Sequence, residues 1–387
     1  MKIVADQNIY SVENAFSDCG TVLKVPSYKI TRSILQDAQA LLVRSVTPVN
    51  QELLEGTAVK FVASVTIGVD HVDLDYLREN NIGFAHAPGS NADSVAEYVV
   101  AAIFQTALRM NRDHRELRVG VVGAGNVGGR VCRLARVLGM DCLLNDPPKR
   151  DLTGQEIYLP LGEVLENSDI VSLHVPLTTT DPYPTYHMVN SEFVKRMKKG
   201  AALINTSRGK VVDEQSFRTV RDHLGVVVLD VFGNEPSINP DTMKLADIAT
   251  PHVAGYSLDG KLRGTEMIYE SMCAFFFKTP SWSADTCALH TERVDLDLRA
   301  SSNPLYDAVA KAYPIMEDDE QFRQLFSVQK DQQARFFEEL RRNYPRRLEF
   351  SHFTVLIDEK QKMYADVLRD LRFTVVTRGD KKTPEGA

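Results

Sequence analysis

The first hundred residues alternate short apolar runs with segments of helical spacing. Runs rich in valine, isoleucine, leucine and alanine predict strands at 3–5, 40–44, 61–64 and 83–85. Apolar positions that recur at helical spacing predict helices between them, at 34–38, 51–54 and 74–80. Strands that alternate with helices in this way are typical of a parallel sheet covered by helices.

A second alternating series follows a long apolar helix, which begins after the turn at Pro88-Gly89 and ends near Asn111. In this series, strands are predicted at 118–123, 143–146, 170–174, 202–205 and 226–230, and helices at 126–138, 161–167, 192–197 and 214–221. The strands are short and almost wholly apolar, as expected of strands buried on both faces of a parallel sheet.

The alternation stops past about residue 280, where the pattern changes. Helices are predicted at 303–312, 318–344 and 362–371, strands at 353–357 and 373–377, and the polar residues 378–387 are expected to fray. The fold-class prediction is therefore α/β, with two Rossmann-like doubly wound parallel-sheet domains and a smaller α+β C-terminal part.

A glycine-rich sequence opens the second series. Gly123, Gly125 and Gly128 match G-x-G-x-x-G between a predicted strand and a predicted helix, the context that a dinucleotide-binding fingerprint requires. The first glycine allows a tight turn, the second lets the backbone approach a pyrophosphate, and the third lets the helix pack closely. Free N–H groups at the start of the helix attract the pyrophosphate, so we expect a dinucleotide cofactor.

An acidic residue selects between the two nicotinamide cofactors. Asp146 ends the next predicted strand, 18 positions after Gly128. A carboxylate at this place hydrogen-bonds the ribose hydroxyls and repels a 2′-phosphate, so the prediction is NAD rather than NADP.

Three polar residues follow the predicted strands 202–205 and 226–230 and the short apolar run 248–249, at strand ends where folds of this class bind their ligands. They are Arg208, Glu235 and His252. Oxidation of an alcohol requires a base, and histidine titrates near neutral pH. A carboxylate beside the histidine orients it, and an arginine forks onto a substrate carboxylate. Together the three residues form a complete set for a 2-hydroxy acid.

The composition limits the possible partners. The 387 residues are 43% hydrophobic, and 45 Lys+Arg stand against 52 Asp+Glu, for a net charge of -7. A broad basic face for nucleic acid is not expected. No stretch approaches ~18 consecutive apolar residues, so we expect no membrane span. The short apolar run at the start does not resemble a signal peptide, and the five cysteines form no C-x-x-C pair, which favours a cytoplasmic protein without a metal site.

The segments 204–209, 229–236 and 251–255 match, in order and spacing, the motifs of NAD-dependent D-isomer-specific 2-hydroxyacid dehydrogenases. The chain resembles this family over about residues 1–280. The resemblance implies that Arg208 binds the substrate carboxylate, that Glu235 supports His252, and that His252 is the acid/base. It also implies that Asp230 lies on the nicotinamide side of the cofactor.

Further segments resemble the branch of this family that oxidises 4-phospho-D-erythronate in vitamin B6 biosynthesis, namely 6–9, 42–47, 66–71, 146–148 and 254–265. This resemblance implies the product (R)-3-hydroxy-2-oxo-4-phosphobutanoate and a homodimer formed by an additional C-terminal domain. It implies substrate contacts at Ser45, Thr66 and Tyr256, and cofactor contacts at Asn126, Val127, Asp146, Val175, Asp230 and Gly255. Val175 stands where the family often has threonine, so a cofactor contact there is expected through backbone or packing.

Basic residues near these motifs fit a phosphorylated substrate. Arg44 lies at a predicted strand end beside Ser45, and Lys261 and Arg263 follow Tyr256. Phosphate is bound by arginine and lysine together with hydroxyl groups. The hypothesis is that Arg44, Lys261 or Arg263 binds the 4-phosphate, within a local basic pocket that also includes Arg208.

The motif order predicts three domains: a discontinuous substrate-binding domain of residues 1–98 and 256–284, an NAD-binding domain of residues 99–255, and a dimerisation domain of residues 285–387. Two alternatives for the function stay open. One is another D-2-hydroxyacid dehydrogenase, acting on phosphoglycerate, glyoxylate or hydroxypyruvate. The other is a non-catalytic NAD-sensing protein on the same fold, since a fold alone does not imply an activity.

Overall fold

The computed structural model describes residues 1–287 and 292–377. The described residues divide into two compact units: one comprises residues 1–91 and the described part of 257–292, and the other residues 92–256 and the described part of 293–387. The division into three domains stays a prediction. In the two-unit division, the described residues from 293 onward belong to the second unit.

The strands of the structure are β1 Lys2–Asp6, β2 Thr21–Val25, β3 Ala40–Val43, β4 Phe61–Ser64, β5 Gly83–His86, β6 Val119–Val122, β7 Cys142–Asn145, β8 Ile170–Leu173, β9 Ala202–Asn205, β10 Val227–Leu229, β11 Ile248–Ala249, β12 Val294–Asp297, β13 Phe353–Ile357 and β14 Thr374–Thr377.

The α-helices are α1 Val12–Phe16, α2 Gln51–Leu54, α3 Leu74–Glu79, α4 Ala92–Met110, α5 Asn126–Val137, α6 Pro147–Thr153, α7 Leu161–Asn167, α8 Ser191–Arg196, α9 Glu214–Val220, α10 Pro240–Lys244, α11 Leu258–Phe275, α12 Pro304–Ala312, α13 Ile315–Arg323, α14 Gln333–Arg342 and α15 Ala365–Asp370. Short 3₁₀ segments connect several of these elements.

The first unit is built on a parallel five-stranded sheet with the order β2-β1-β3-β4-β5. Successive residues of a strand point to opposite faces. Accordingly, Ile3 belongs to one buried cluster and Val4 to another. The cluster of Ile3 also contains Phe16 of α1 and Tyr269 of α11, so these two helices cover that face of the sheet.

The second unit contains a parallel six-stranded sheet with the order β7-β6-β8-β9-β10-β11. The strand order reverses at β6, which pairs with β7 on one side and with β8 on the other. Open α/β sheets bind ligands at such a reversal, outside the carboxyl ends of the strands. The glycine-rich sequence directly follows β6 and therefore lies at the switch point.

The C-terminal segment adds a small parallel sheet with the order β12-β13-β14. Helix α13 packs against α4 and β11. Phe322 of α13 and Phe337 of α14 belong to the same buried cluster as Leu203 of β9 and Leu229 of β10. The segment therefore shares a hydrophobic core with the six-stranded sheet.

The α/β prediction with two doubly wound parallel sheets is confirmed. The sequence pattern missed α1 and β2. Strand β2 lies at the edge of its sheet, its apolar residues Val22, Leu23 and Val25 are interrupted by Lys24, and only Val25 is buried. Past residue 280, the predicted strands at 353–357 and 373–377 correspond to β13 and β14, and the sequence pattern missed β12, which pairs in parallel with β13.

The predicted single helix over 318–344 is wrong, since α13 and α14 are separated by 3₁₀ turns. The rings of Phe322 and Phe337 have centroids only 5.6 Å apart. Fifteen residues of straight helix would separate them by about 22 Å. The chain must therefore turn between the two rings for both to enter one core.

Two further expectations concern membrane spans and the last residues of the chain. Within residues 1–287 and 292–377, no helix combines the length and apolar character that a membrane span requires. The expected fraying of residues 378–387 lies outside the described residues.

Candidate active site

The glycine-rich loop between β6 and α5 is shaped by close backbone contacts. Gly123 adopts a φ of 88°, in the left-handed region that favours glycine. A side chain on Gly128 would overlap the carbonyl oxygen of Gly123. The side chain of Val175 lies beside Gly123, so a cofactor contact of Val175 through packing stays a prediction that this placement allows.

The start of α5 is open to a ligand. The residue before the helix, Gly125, supplies no side-chain cap, so the first N–H groups of α5 are available to an anion. An open groove of about 550 Å³ lies here, lined by Ala124, Gly125, Asn126, Gly129, Arg130, Arg133 and Lys149. Val127 is half-buried beside it. Helix N-terminus, groove and basic lining fit a dinucleotide pyrophosphate.

Asp146 is held at the edge of this loop. Its Oδ2 accepts a hydrogen bond from the Ala124 amide at 2.9 Å, and its Oδ1 accepts one from the Lys149 amide at 3.0 Å. The carboxylate is thereby fixed beside the glycine-rich loop, as expected of the residue that binds the ribose.

The carboxyl ends of three adjacent strands carry the predicted catalytic residues. Arg208 follows β9, Glu235 follows β10, and His252 follows β11. Nδ1 of His252 lies 2.6 Å from Oε2 of Glu235. The side chain of Glu235 is 17% exposed and that of His252 33%, so the imidazole keeps access to a substrate.

The environment of Glu235 favours its charged form. Burial raises the pKa of the carboxyl, but His252, the amide of Phe232 and the guanidinium of Arg341 lower it, and the net pKa is lowered. The Phe232 amide donates to Oε1 at 2.8 Å. Both carboxylate oxygens are therefore engaged, which fixes the orientation of the imidazole.

The backbone of the His252 loop is anchored on Asp230. Its Oδ1 accepts hydrogen bonds from the Thr250 hydroxyl at 2.7 Å and from the Val253 amide at 2.8 Å. Burial raises the pKa of Asp230, and the nearby His252 and these hydrogen bonds offset only part of this effect. His252 has a φ of 57°, an uncommon conformation for a residue other than glycine. Such strain persists where the surroundings enforce it, commonly at functional sites.

Arg208 lies in the loop that approaches the Glu235 segment. Its Nη1 donates to the Ser207 carbonyl at 2.9 Å, and the adjacent Gly209 packs against the backbone of Phe232. Gly255 and Tyr256 follow in the same loop as His252, and both are half-buried. The structure thus brings the predicted catalytic triplet to neighbouring loops of one sheet.

The other predicted substrate residues lie in the first unit. Thr66 donates to the Gly68 carbonyl at 2.8 Å, and Ser45 is exposed just past β3. Arg44 pairs with the buried Asp6, Nε to Oδ2 at 3.1 Å. Arg263 Nε donates to the Ser90 carbonyl at 2.7 Å.

Lys261 is close enough to Arg44 for their charges to interact. Desolvation of its ammonium group and the positive charge of Arg44 lower the pKa of Lys261. Arg208 belongs to the other unit, so the basic pocket of all four residues stays a prediction.

Comparison with known proteins assigns the chain to a family. The model of the NAD-binding domain of D-isomer specific 2-hydroxyacid dehydrogenases matches residues 89–254. A protein of Salinibacter ruber named erythronate-4-phosphate dehydrogenase is 46% identical, over 92% of this chain and 94% of its own length. The chain belongs to the erythronate-4-phosphate dehydrogenase family. A family member from Marinobacter nauticus is 39% identical, over 96% of this chain and 99% of its own length.

A solved structure of a D-2-hydroxyacid dehydrogenase is also similar to this chain. D-lactate dehydrogenase of Aquifex aeolicus, complexed with NAD and lactic acid, matches with a TM-score of 0.61 and 29% identity, over 72% of this chain and 96% of that one. As a member of the erythronate-4-phosphate dehydrogenase family, the chain is an NAD-dependent oxidoreductase. A second model, a domain of unknown function (DUF3410), matches residues 288–371.

Sequence reasoning missed the residues that surround the His252 loop from the C-terminal segment. These are Asp319, Arg341, Tyr344 and Arg347. They follow His252 by 67 to 95 positions and form no motif, so no local signal in the sequence could have identified them. The anchoring of the loop by Asp230 was likewise invisible, because it depends on hydrogen bonds between adjacent strand ends.

Proposed function

We propose that this chain oxidises 4-phospho-D-erythronate to (R)-3-hydroxy-2-oxo-4-phosphobutanoate, with NAD as the hydride acceptor and with Arg208, Glu235 and His252 as the catalytic residues. The observation that carries the proposal is the 2.6 Å pair of His252 and Glu235, in a chain that is 46% identical to a protein named erythronate-4-phosphate dehydrogenase.

The chemistry assigns one role to each residue. His252 accepts the proton of the C2 hydroxyl at its Nε2 atom, because Nδ1 is occupied by Glu235. Glu235 stabilises the imidazolium that forms and keeps the ring in one orientation. Arg208 forms bidentate hydrogen bonds with the C1 carboxylate and so holds C2 in place. This lowers the entropic cost of reaching the reactive geometry.

The cofactor is held by the second unit. The N-terminus of α5 binds the pyrophosphate, Asp146 binds the adenosine ribose, and Asn126, Val127, Val175, Asp230 and Gly255 line the remaining length. When bound, NAD supplies the acceptor for the hydride that leaves C2. Ser45, Thr66 and Tyr256 complete the substrate contacts.

The proposal also covers the pathway, the cellular compartment and the oligomeric state of the protein. The name of the relatives implies a role in vitamin B6 biosynthesis. We assign the chain to the cytoplasm, which the five free cysteines support, since reducing compartments keep thiols unpaired. We also assign it to a homodimer formed through residues 285–387. Exposed apolar side chains in this segment, such as Phe326 and Met363, support that assignment, and the mass in solution tests it.

The test is steady-state turnover of 4-phospho-D-erythronate, with 2-oxoglutarate added to regenerate bound NAD. A panel of 3-phosphoglycerate, glyoxylate and hydroxypyruvate provides the comparison. We expect kcat/KM to be highest for 4-phospho-D-erythronate, and His252→Ala to lower kcat by about 10²–10⁴-fold while NAD binding persists. Arg208→Ala should raise KM and lower kcat, because the carboxylate loses its partner.

Arg218→Ala is the matched control, since Arg218 is an exposed arginine that pairs only loosely with Asp241 at 3.9 Å. Preference for another acid in the panel would assign the chain to that substrate. Tight NAD binding without turnover of any acid would favour the NAD-sensing alternative.

A further inference from the structure

The end of strand β11 and the following loop, which carries His252, are contacted by the C-terminal segment. Oδ1 of Asp319 accepts a hydrogen bond from the Ala249 amide at 2.7 Å, and the buried Arg347 donates to the Ala254 carbonyl at 2.8 Å. Tyr344 presents its ring edge-on to Tyr256, with centroids 5.8 Å apart. The segment therefore forms part of the wall around the candidate active site.

Arg341 lies at the centre of this contact. Its guanidinium carbon is 5.5 Å from the ring centroid of Tyr256 and 5.7 Å from that of Phe337. Guanidinium groups stack on aromatic faces, and this contact limits the directions in which the group can point. Phe337 is fully buried, so it provides a rigid support on one side.

The charge of Arg341 has no partner in the described part of the chain. Within that part, Arg341 makes no hydrogen bond or ion pair, and its Nε is buried without an acceptor. Buried donors in folded proteins almost always have a partner, and arginine stays charged at every physiological pH. The geometry therefore leaves a permanent cation, with a desolvated donor, beside the catalytic loop.

Glu235 does not neutralise this cation. Its Oε2 is engaged by His252 and its Oε1 by the Phe232 amide. Arg341 nevertheless lies close enough for its charge to lower the pKa of Glu235. The cation is thus near the acid/base pair without being part of it, which is the position expected of a group that binds an anionic substrate.

We propose that Arg341 binds the phosphate of the substrate, and that the C-terminal segment thereby supplies a specificity-determining residue to the active site. This inference rests on the proposed function, in which Arg208 holds the C1 carboxylate and His252 the C2 hydroxyl. The remaining anionic group is the 4-phosphate, for which Arg44, Lys261 and Arg263 are the other candidate partners. A phosphate accepts two parallel hydrogen bonds from one guanidinium group, so Arg341 is suited to it.

The test is ligand binding to the protein saturated with NADH, a dead-end complex in which the hydroxy acid cannot react. Dissociation constants are measured by calorimetry for 4-phospho-D-erythronate and for D-erythronate, which lacks the phosphate. We expect Arg341→Ala to weaken binding of the phosphorylated acid by about 10- to 100-fold, since a hydrogen bond to a charged group is lost. Binding of D-erythronate should change by less than about threefold, within the range of a surface substitution.

Two further variants control for structure and charge. Arg341→Lys keeps the positive charge but lacks the bidentate guanidinium group. It should weaken binding of the phosphorylated acid to an intermediate extent and leave binding of D-erythronate unchanged. Arg342→Ala removes the adjacent exposed arginine of α14 and should bind both acids like the wild type. An unchanged NADH affinity of Arg341→Ala shows that the fold is intact.

Equal weakening of both acids, or no weakening of either, would overturn the proposal. Equal weakening with a lower kcat and a shifted pH profile would assign Arg341 to positioning the Glu235–His252 pair. The binding comparison does not depend on turnover. If the wild type fails to oxidise 4-phospho-D-erythronate but Arg341 still discriminates between the two acids, the proposed function fails and the phosphate site stands.

Discussion

Gly209 lies directly against the backbone of Phe232, so that a methyl group added at Gly209 would overlap the carbonyl carbon and oxygen of Phe232. This contact joins the loop after β9, which carries Arg208, to the loop after β10, which carries Glu235. The two loops can approach only because residue 209 has no side chain.

Substitution of this glycine should damage both stability and activity. We expect Gly209→Ala to lower the free energy of unfolding by about 1–3 kcal/mol, because the backbone must shift to admit the methyl group. The same shift should displace Arg208 and thereby lower kcat/KM by up to about 10²-fold. Urea unfolding and steady-state kinetics measure the two effects.

Gly129→Ala serves as the control for the Gly209 measurement. A methyl group at this helical position meets only the Ala124 carbonyl oxygen, at 3.8 Å. The free energy of unfolding of Gly129→Ala should therefore stay the same or rise by up to about 1 kcal/mol, which is the difference in helix propensity between glycine and alanine. Equal stability of the two variants would show that the contact at Gly209 is not restrictive.

Removal of the charge on Glu235 should slow the reaction without preventing cofactor binding. Glu235→Gln keeps the shape of the side chain but cannot stabilise an imidazolium. We expect kcat to fall by roughly 10- to 150-fold, corresponding to about 1.5–3 kcal/mol for a hydrogen bond to a charged group. Glu214→Gln, another carboxylate that accepts an amide hydrogen bond nearby, is the comparison. A similar loss of kcat in both variants would refute a specific role for Glu235.

Cofactor preference should depend on Asp146. Asp146→Ala removes the ribose acceptor and the negative charge that repels a 2′-phosphate. The ratio of kcat/KM for NAD to that for NADP should fall by about 10-fold or more, as expected for the loss of one charged hydrogen bond. Asp141→Ala, an exposed acid that precedes β7 at its opposite end, should leave the ratio unchanged. A constant ratio in Asp146→Ala would contradict the assignment.

The pH dependence of stability should reveal a buried carboxyl in α4. Burial and the nearby Glu349 raise the pKa of Glu97 well above its ordinary value of 4.5, although Arg347 opposes the shift. The folded state then retains a proton that the unfolded chain has released. The contribution of Glu97 is therefore fully present below pH 4.5 and is lost as the pH rises through its raised pKa.

Glu97→Gln lacks this titration. Its free energy of unfolding, relative to the wild type, should increase between pH 5 and pH 8 by up to about 1.4 kcal/mol per pH unit, the value of one proton. Glu166→Gln, at an exposed glutamate, should show a constant difference over the same range. A pH-independent difference for Glu97→Gln would mean that its carboxyl is charged in the folded state.

Much of the candidate site could be predicted because its signals are local. Gly123, Gly125 and Gly128 occur within six positions, and Asp146 ends the following strand. Arg208, Glu235 and His252 each follow an apolar run that predicts a strand. Since carboxyl ends of parallel strands share one edge of a sheet, the sequence alone indicates that these residues lie close together.

The elements that were missed have weak or non-local signals. Strand β2 has one buried residue, and Lys24 interrupts its short run of apolar residues. The break between α13 and α14 depends on the shared core of Phe322 and Phe337, which helical spacing cannot reveal. The partners of the His252 loop, Asp319 and Arg347, contact it from more than 65 positions away.

By itself, the sequence determined the two parallel α/β arrangements, the dinucleotide loop and the catalytic triplet. These follow from hydrophobic periodicity and from residue types at fixed short spacing, which are properties of neighbouring positions. Only the tertiary structure decided that Asp230 anchors the His252 loop and that Arg341, which has no ion-pair partner among the described residues, lies against the ring of Tyr256. Such contacts arise when packing brings distant segments together, and the hydrogen bonds and unmatched charges that result are set by three-dimensional geometry rather than by any local pattern.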